Sequence, residues 1–171
     1  MFTEADCFKV ESEIKYRKLT KNEILLHEGE ICKSFYYVQS GSFIQFQTED
    51  INKQIIDLHM KDEWFLNHSS FIAQKPSSTT ILAYEESEIF ELSLRSIHKL
   101  IETSQVFLAM GKILEQAQER TLFFDKGYSP TDKYNHILNT RPLLIQYFPL
   151  KIIASYLKVA PETLSRVRSH H

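Results

Sequence analysis

The spacing of apolar and polar positions changes twice along the chain. From Ile14 to Leu92 apolar residues come in short runs, at 14–19, 24–27, 35–39, 43–48, 54–60, 79–84 and 88–92. Ile, Phe, Tyr, Val and Thr dominate them, and turn signals separate them at roughly ten-residue spacing, which predicts short strands forming a sandwich or barrel. Gly29 and Gly41 are two of only four glycines and fall at strand junctions, where a positive φ is often needed. Glu49 to Asn52 is polar and predicts a hairpin tip. Residues 1–12 are weakly patterned, the end of a helix or a frayed terminus.

Beyond Leu92 the period becomes helical. Leu94, Ile97, Leu100 and Ile101 share one side of a short helix over 93–101. A longer helix is predicted over 104–126, where Phe107, Met110, Leu114, Ala117, Thr121 and Phe124 follow a heptad seam. Val106, Ala109 and Ile113 form a second row beside it. A helix with two rows can bury one on its own domain and one on a partner, which predicts a dimer helix. The competing arrangement is a single wide face packed on the β domain. Gly127 is a stop signal. A further helix over about 130–139 has Tyr134, Ile137 and Leu138 on its apolar face, Arg141-Pro142 breaks the chain, and 143–148 is an apolar linker or short helix.

The last stretch, Pro149 to Arg168, predicts two short helices joined by a tight turn. Ile152, Ile153, Tyr156 and Leu157 form the buried stripe of the first, and Leu164 and Val167 face inward from the second. Pro161 suits a first helical position. Glu162, Thr163, Ser165, Arg166 and Arg168 remain for the outer face. This is the layout of a helix-turn-helix, whose second helix enters the major groove of DNA.

Composition narrows the class. The chain has 171 residues, 43% hydrophobic and 25% charged, as expected of a globular protein of one domain or two small ones. No apolar run approaches the roughly 18 residues of a membrane span, and no secretory signal begins the chain. Cys7 and Cys32 are the only cysteines, for which free thiols in the cytoplasm are the simplest reading. The final Ser169-His170-His171 has the look of a tag remnant. From Tyr128 onward six Lys and Arg face only Asp132 and Glu162, a net +4, against −6 for the rest. A basic module on an acidic body fits DNA binding.

Leu25 to Glu30, followed by Phe35-Tyr36-Tyr37-Val38-Gln39-Ser40-Gly41-Ser42, resembles the first β-roll hairpins of the Crp–Fnr family of bacterial transcription regulators. Ile153-Ala154-Ser155-Tyr156-Leu157, followed by Pro161 to Arg166, is similar to that family's helix-turn-helix signature. The resemblance spans about 14–168, and its Lys75-Pro76-Ser77-Ser78 and Pro161 to Arg166 segments look closest to the branch common in Bacteroidetes-type bacteria. It implies an α+β fold: an N-terminal antiparallel β-roll (double-stranded β-helix, jelly-roll-like), a long dimerisation helix and a small all-α helix-turn-helix domain. The corresponding expectation is a cyclic-nucleotide-binding-like sensor domain over 1–103, a dimerisation helix over 104–127 and a DNA-binding domain over 128–171 without a wing.

The family's cyclic-nucleotide cassette carries a Gly-Glu pair and, about ten residues on, an Arg. The Glu holds a ribose hydroxyl and the Arg neutralises the phosphate. Here Leu66-Asn67 stands in place of Gly-Glu and Ser77 in place of Arg, so both charged contacts are missing. Lys75 is near but is not a bidentate fork. The expectation is a degenerate effector pocket that does not bind cyclic AMP, with Trp64, Asn67, His68, Ser77, Ser78 and Thr79 around it. Trp64 and Phe65 fill it, or it takes an unknown small-molecule effector.

The resemblance assigns base reading to Glu162, Thr163 and Arg166, and phosphate contacts to Ser165, Arg168, Lys151 and Lys158. Lys158 stands where the family has a turn glycine, and Ala160 where it has a Ser or Thr cap. An iron–sulfur cluster needs about four cysteines, and no His, Cys and carboxylate group has metal-ligand spacing, so neither cofactor nor metal is expected. His27, His59, His68 and His98 read as solvated or structural. No phosphate loop, nucleophile elbow or paired-carboxylate motif points to an enzyme. The sequence therefore predicts a cytoplasmic homodimeric regulator of double-stranded DNA. The alternative is a ligand-sensing or protein-interaction module of the same fold that has lost DNA binding.

Overall fold

A computed structural model describes residues 3–49, 52–122 and 127–169. The chain opens with α1 (Glu4–Glu13), begun by a capping box in which Thr3 Oγ1 accepts from the Asp6 N–H and the Asp6 carboxylate accepts from the Thr3 N–H. Eight strands follow: β1 (Ile14–Leu19), β2 (Ile24–Leu26), β3 (Ser34–Ser40), β4 (Ser42–Glu49), β5 (Asn52–Met60), β6 (Trp64–Phe65), β7 (Thr80–Ala83) and β8 (Ser87–Ser93). They form two four-stranded antiparallel sheets, ordered β1-β8-β3-β6 and β2-β7-β4-β5. The predicted strands match this set closely, with β6 the addition. The tip of the predicted hairpin, residues 50 and 51, lies outside the described residues.

Phe35, Phe43, Phe65, Ile81, Ile89 and Leu92 fill the space between the sheets. Gly41, with φ +84°, makes the β3–β4 turn; a Cβ there would lie 2.2 Å from Ser87 Oγ. Gly29 also has a positive φ, of +88°, but open space around its Cβ position.

Helix α2 (His68–Ala73) sits between β6 and β7, and α3 (Leu94–Thr103) follows β8. The predicted long helix over 104–126 is not continuous. Ser104 is extended at φ −161°, Gln105–Met110 is a 3-10 segment, and α4 runs over Gly111–Leu122. The heptad seam also faces inward. Phe107 and Ala117 are buried in the β-domain core, with Val106, Met110, Ile113 and Leu114 packed against it. One row of the helix is thus buried on its own domain, while Leu108 and Ala109 beside it stay exposed. Of the other seam positions, Thr121 is half-buried, and Phe124 lies outside the described residues.

Helices α5 (Pro130–Thr140), α6 (Leu143–Tyr147), α7 (Leu150–Tyr156) and α8 (Pro161–Ser169) complete the chain. Ser129 caps α5 by accepting from the Asp132 N–H, with Pro130 at its first turn. Their apolar faces do not form a core of their own. Tyr134, Ile137, Leu144, Phe148, Ile153, Tyr156, Leu157 and Leu164 cluster with Ile44, Phe46, Ile55, Leu58 and Met60 from β4 and β5. Alternation along β4 thus serves two cores: Phe43 points between the sheets, and Ile44 and Phe46 point under the helices. Helix α7 also finishes the edge strand β5. The Ser155 hydroxyl accepts from the Ile55 N–H at 3.0 Å, and the Ser155 carbonyl accepts from Gln54 Nε2 at 2.7 Å. No helix among the described residues is long and apolar enough to cross a membrane.

Candidate functional site

A cleft of about 250 Å³ opens between the second sheet, α2 and α4. Gln45 and Gln47 of β4 and Ile56 of β5 form one wall; Gln118 and Thr121 of α4 form another. Asn67, His68 and Ser69 at the start of α2, with Ser78 and Thr79 before β7, close the end.

Asn67 organises that end. It is the N-cap of α2, and its Oδ1 accepts from the Ser70 N–H at 3.0 Å and from Ser69 Oγ at 3.1 Å. Its Nδ2 donates to Ser77 Oγ at 2.7 Å and to Thr79 Oγ1 at 2.6 Å. Ser77 Oγ in turn donates to the Thr79 carbonyl and accepts from the Thr79 N–H. The two positions that carry opposite charges in the cyclic-nucleotide cassette are therefore bonded to each other. Gln45 Nε2 donates to Thr79 Oγ1 at 2.9 Å, and Gln45 Oε1 is buried without a partner. Burial lowers the pKa of His68, so the described lining residues are uncharged at neutral pH.

Of the predicted pocket residues, Asn67, His68, Ser78 and Thr79 line the cleft, and Ser77 lies buried behind it. Trp64 does not line it. β6 pairs with β3 in the first sheet, which turns the indole onto Tyr37 at 5.3 Å between ring centroids. Phe65 is fully buried in the core, so neither aromatic fills the cleft. Thr121, expected at a dimer seam, is a cleft wall. Gln45, Gln47 and Gln118 were not anticipated. The available signal was Gln45 and Gln47 sharing the period-2 face of Phe43, amides on an inward-facing row.

Beside the cleft lies a buried ionic cluster. Asp57 of β5, 2% exposed, accepts from Arg120 Nε of α4 at 3.0 Å and lies 3.5 Å from Arg141 Nη1. Arg141, just past α5, forks onto Glu63, donates to the Leu58 carbonyl at 2.5 Å and reaches Tyr156 Oη of α7 at 3.2 Å. Burial alone would raise the Asp57 carboxyl; the positive charge around it, permanent on Arg120 and Arg141, holds it well below the usual range. His59, stacked on Phe65 and fully buried, is driven far down by burial and is neutral at pH 7. Helix α4 thus touches the cleft through Gln118 and Thr121 and the cluster through Arg120.

The other candidate surface is the end of the chain. Lys158 adopts φ +54° in the turn between α7 and α8, the left-handed conformation a glycine usually takes. Behind the turn Ile153, Ala154, Tyr156, Leu157 and Leu164 are buried. Glu162, Ser165, Arg166 and Arg168 of α8 are exposed together with Lys151 and Lys158, while Thr163 is half-buried. Two of the six cations behind the +4 balance are spent inside: Arg141 in the cluster and Lys133, whose Nζ donates to the Leu157 carbonyl at 3.0 Å. The remaining four lie on α7, the turn and α8.

Residues 16–104 match the cyclic nucleotide-binding domain, and the chain belongs to that family. The fold is shared with solved structures of low identity. FixK2 from Bradyrhizobium japonicum is 18% identical, covering 92% of this chain and 83% of that one, with a TM-score of 0.69. A CooA mutant from Carboxydothermus hydrogenoformans is 15% identical over 94% of this chain and 77% of that one, with a TM-score of 0.70. CLP, the c-di-GMP responsive global regulator of Xanthomonas campestris, is 17% identical over 98% and 91%, with a TM-score of 0.65. No curated protein sequence matches the chain.

Proposed function

We propose that the chain is a Crp–Fnr-type transcription regulator. It works in the cytoplasm as a homodimer on double-stranded DNA, by binding rather than catalysis, and its effector cleft does not accept cyclic AMP. The observation that carries the DNA-binding part is the outward face of α8, where Arg166 and Arg168 project from a helix held on α7 through a left-handed turn at Lys158. Arg166 can take guanine O6 and N7 with its fork, Glu162 can accept from cytosine N4, and Thr163 sits at the same helix start. Ser165, Arg168, Lys151 and Lys158 supply phosphate contacts. Structural neighbours that include a global regulator support this reading.

The Asn67–Ser77 hydrogen bond supports the loss of cyclic AMP binding. A phosphate in this cleft would meet no Lys or Arg among the described lining residues, and a buried anion without a cation is strongly disfavoured. Two experiments test the proposal. Fluorescence anisotropy on the promoter region of its own gene should show salt-sensitive binding that Arg166→Ala weakens; no binding at low salt would leave only the sensing module. Calorimetry with cyclic AMP and cyclic GMP should show no heat of binding, and micromolar affinity for either would overturn the second part.

A further inference from the structure

We propose that the cleft takes an uncharged ligand with adjacent hydrogen-bond donors and acceptors, a nucleobase edge or the vicinal diol of a sugar, free of phosphate and carboxylate. This rests on the reading of the cleft as an effector site closed to cyclic AMP, and it names what the site accepts instead.

The first argument is the orphaned amide of Gln45. The residue is 4% exposed and lines the cleft, and one end of its carboxamide is tied to Thr79 Oγ1 at 2.9 Å. The other end, Oε1, has no partner. Turning the amide over does not remove the vacancy. Thr79 Oγ1 would then donate to Oε1, and Nε2 would be left over instead. In either orientation one buried polar atom of this cleft-lining side chain is left without a partner.

The second argument is charge. Among the described residues no Lys, Arg, Asp or Glu lines the cleft, and burial lowers the pKa of His68, which favours its neutral form at pH 7. Arg120, adjacent to the wall residue Thr121, is bonded to Asp57 at 3.0 Å. Asn67 Nδ2 is spent on Ser77 and Thr79, so it offers no donor to an anion at that end of the cleft.

The third argument is chemistry and size. Gln45, Gln47 and Gln118 bring three carboxamides to one cleft; Gln47 and Gln118 each carry a donor and an acceptor side by side, and Gln45 adds its one unbonded end. That pattern pairs with the edge of a base or with neighbouring hydroxyls. About 250 Å³ lies below the roughly 300–1,000 Å³ typical of clefts for drug-sized molecules, which favours a compact ligand.

The test is a ¹H–¹⁵N NMR titration of the full chain with adenosine, D-ribose and cyclic AMP. Adenosine and cyclic AMP share base and sugar and differ by the charged phosphate, while ribose separates diol from base. The expected result is that adenosine or ribose shifts the side-chain amide signals of Gln45 and Gln118, with affinity at least tenfold above that of cyclic AMP. A response to adenosine alone assigns the base edge; a response to both assigns the diol. Gln45→Leu should abolish the shifts. Should that variant fail to fold, the exposed Gln118→Ala should weaken binding several-fold while keeping the spectrum dispersed. Cyclic AMP binding as tightly as adenosine would overturn both this inference and the reading it rests on. Silence of all three probes at millimolar concentration would overturn this inference alone.

Discussion

The Arg141 guanidinium lies 3.5 Å from the Asp57 carboxylate, across 84 positions of sequence. Asp57 belongs to β5 and Arg141 follows α5, so the pair ties the C-terminal helices to the β domain at a largely buried point. The same arginine holds Glu63 and the Leu58 carbonyl, so its removal leaves two carboxylates partly unpaired. Breaking a buried pair from one side costs about 3–5 kcal/mol. Arg141→Ala should lose stability of that order in urea unfolding, and hydrogen exchange should show α5 to α8 losing protection first. A loss below about 1 kcal/mol would mean that the cluster behaves as a solvated surface pair.

His59 should make stability pH-dependent. Its imidazole is fully buried, neither nitrogen has a hydrogen-bond partner, and burial depresses its folded pKa far below the ordinary 6.5 although Asp57 Oδ2 lies 3.7 Å from its Nδ1. The unfolded chain therefore binds a proton first as pH falls. Stability is whole above about pH 6.5 and declines below it by about 1.4 kcal/mol per pH unit for one proton. Asp57 adds a loss only at much lower pH, below its unfolded value of 3.8, because its carboxyl is held down in the fold. His68 and His136, also lowered by burial, act in the same direction as His59. Denaturant melts of the wild type and of His59→Phe between pH 4 and pH 7 should differ in slope by about one proton. Equal slopes would show that His59 carries no such linkage.

Two glycines with nearly the same φ should differ in their tolerance of alanine. At Gly29 the Cβ meets open space, so Gly29→Ala costs only the left-handed strain, about 1–2 kcal/mol. At Gly41 a Cβ would stand 2.6 Å from the Glu86 carbonyl oxygen and 2.7 Å from Ser87 Cα, both backbone atoms that cannot swing away. Gly41→Ala should therefore unfold at clearly lower temperature than Gly29→Ala. The opposite ranking would contradict the β3–β4 turn as described.

The strands were legible because apolar alternation and turn residues are local signals. β6 was not, since two residues pairing only with β3 carry no period. The heptad seam was read from its spacing, but apolar side chains look alike whether they meet a partner or their own sheet; here Phe107 and Ala117 meet their own core. Spacing also could not separate 3-10 from α-helix over Gln105–Met110. The charged positions missing from the cassette were visible at Asn67 and Ser77, but their hydrogen bond was not. Asp57, Arg120 and Arg141 come from distant segments, so their cluster left only a faint trace: Asp57 and His59 interrupting an apolar strand.

The exposed arginines of α8 separate two modes of DNA contact. Arg166 and Arg168 are two positions apart and both exposed, so they project from different sides of the helix. A residue that reads a base contributes about 1–3 kcal/mol of discrimination, whereas one that neutralises a phosphate contributes nearly the same on every sequence. Arg166→Ala should therefore weaken binding to the operator by that amount and flatten the preference between the operator and a scrambled duplex. Arg168→Ala should weaken both duplexes alike and reduce the slope of log K against log salt by about one. Anisotropy titrations at four salt concentrations on both duplexes distinguish these outcomes. If Arg168→Ala changed the preference and Arg166→Ala only the salt slope, the two roles would be exchanged. If neither mattered, α8 would not be the surface that meets DNA.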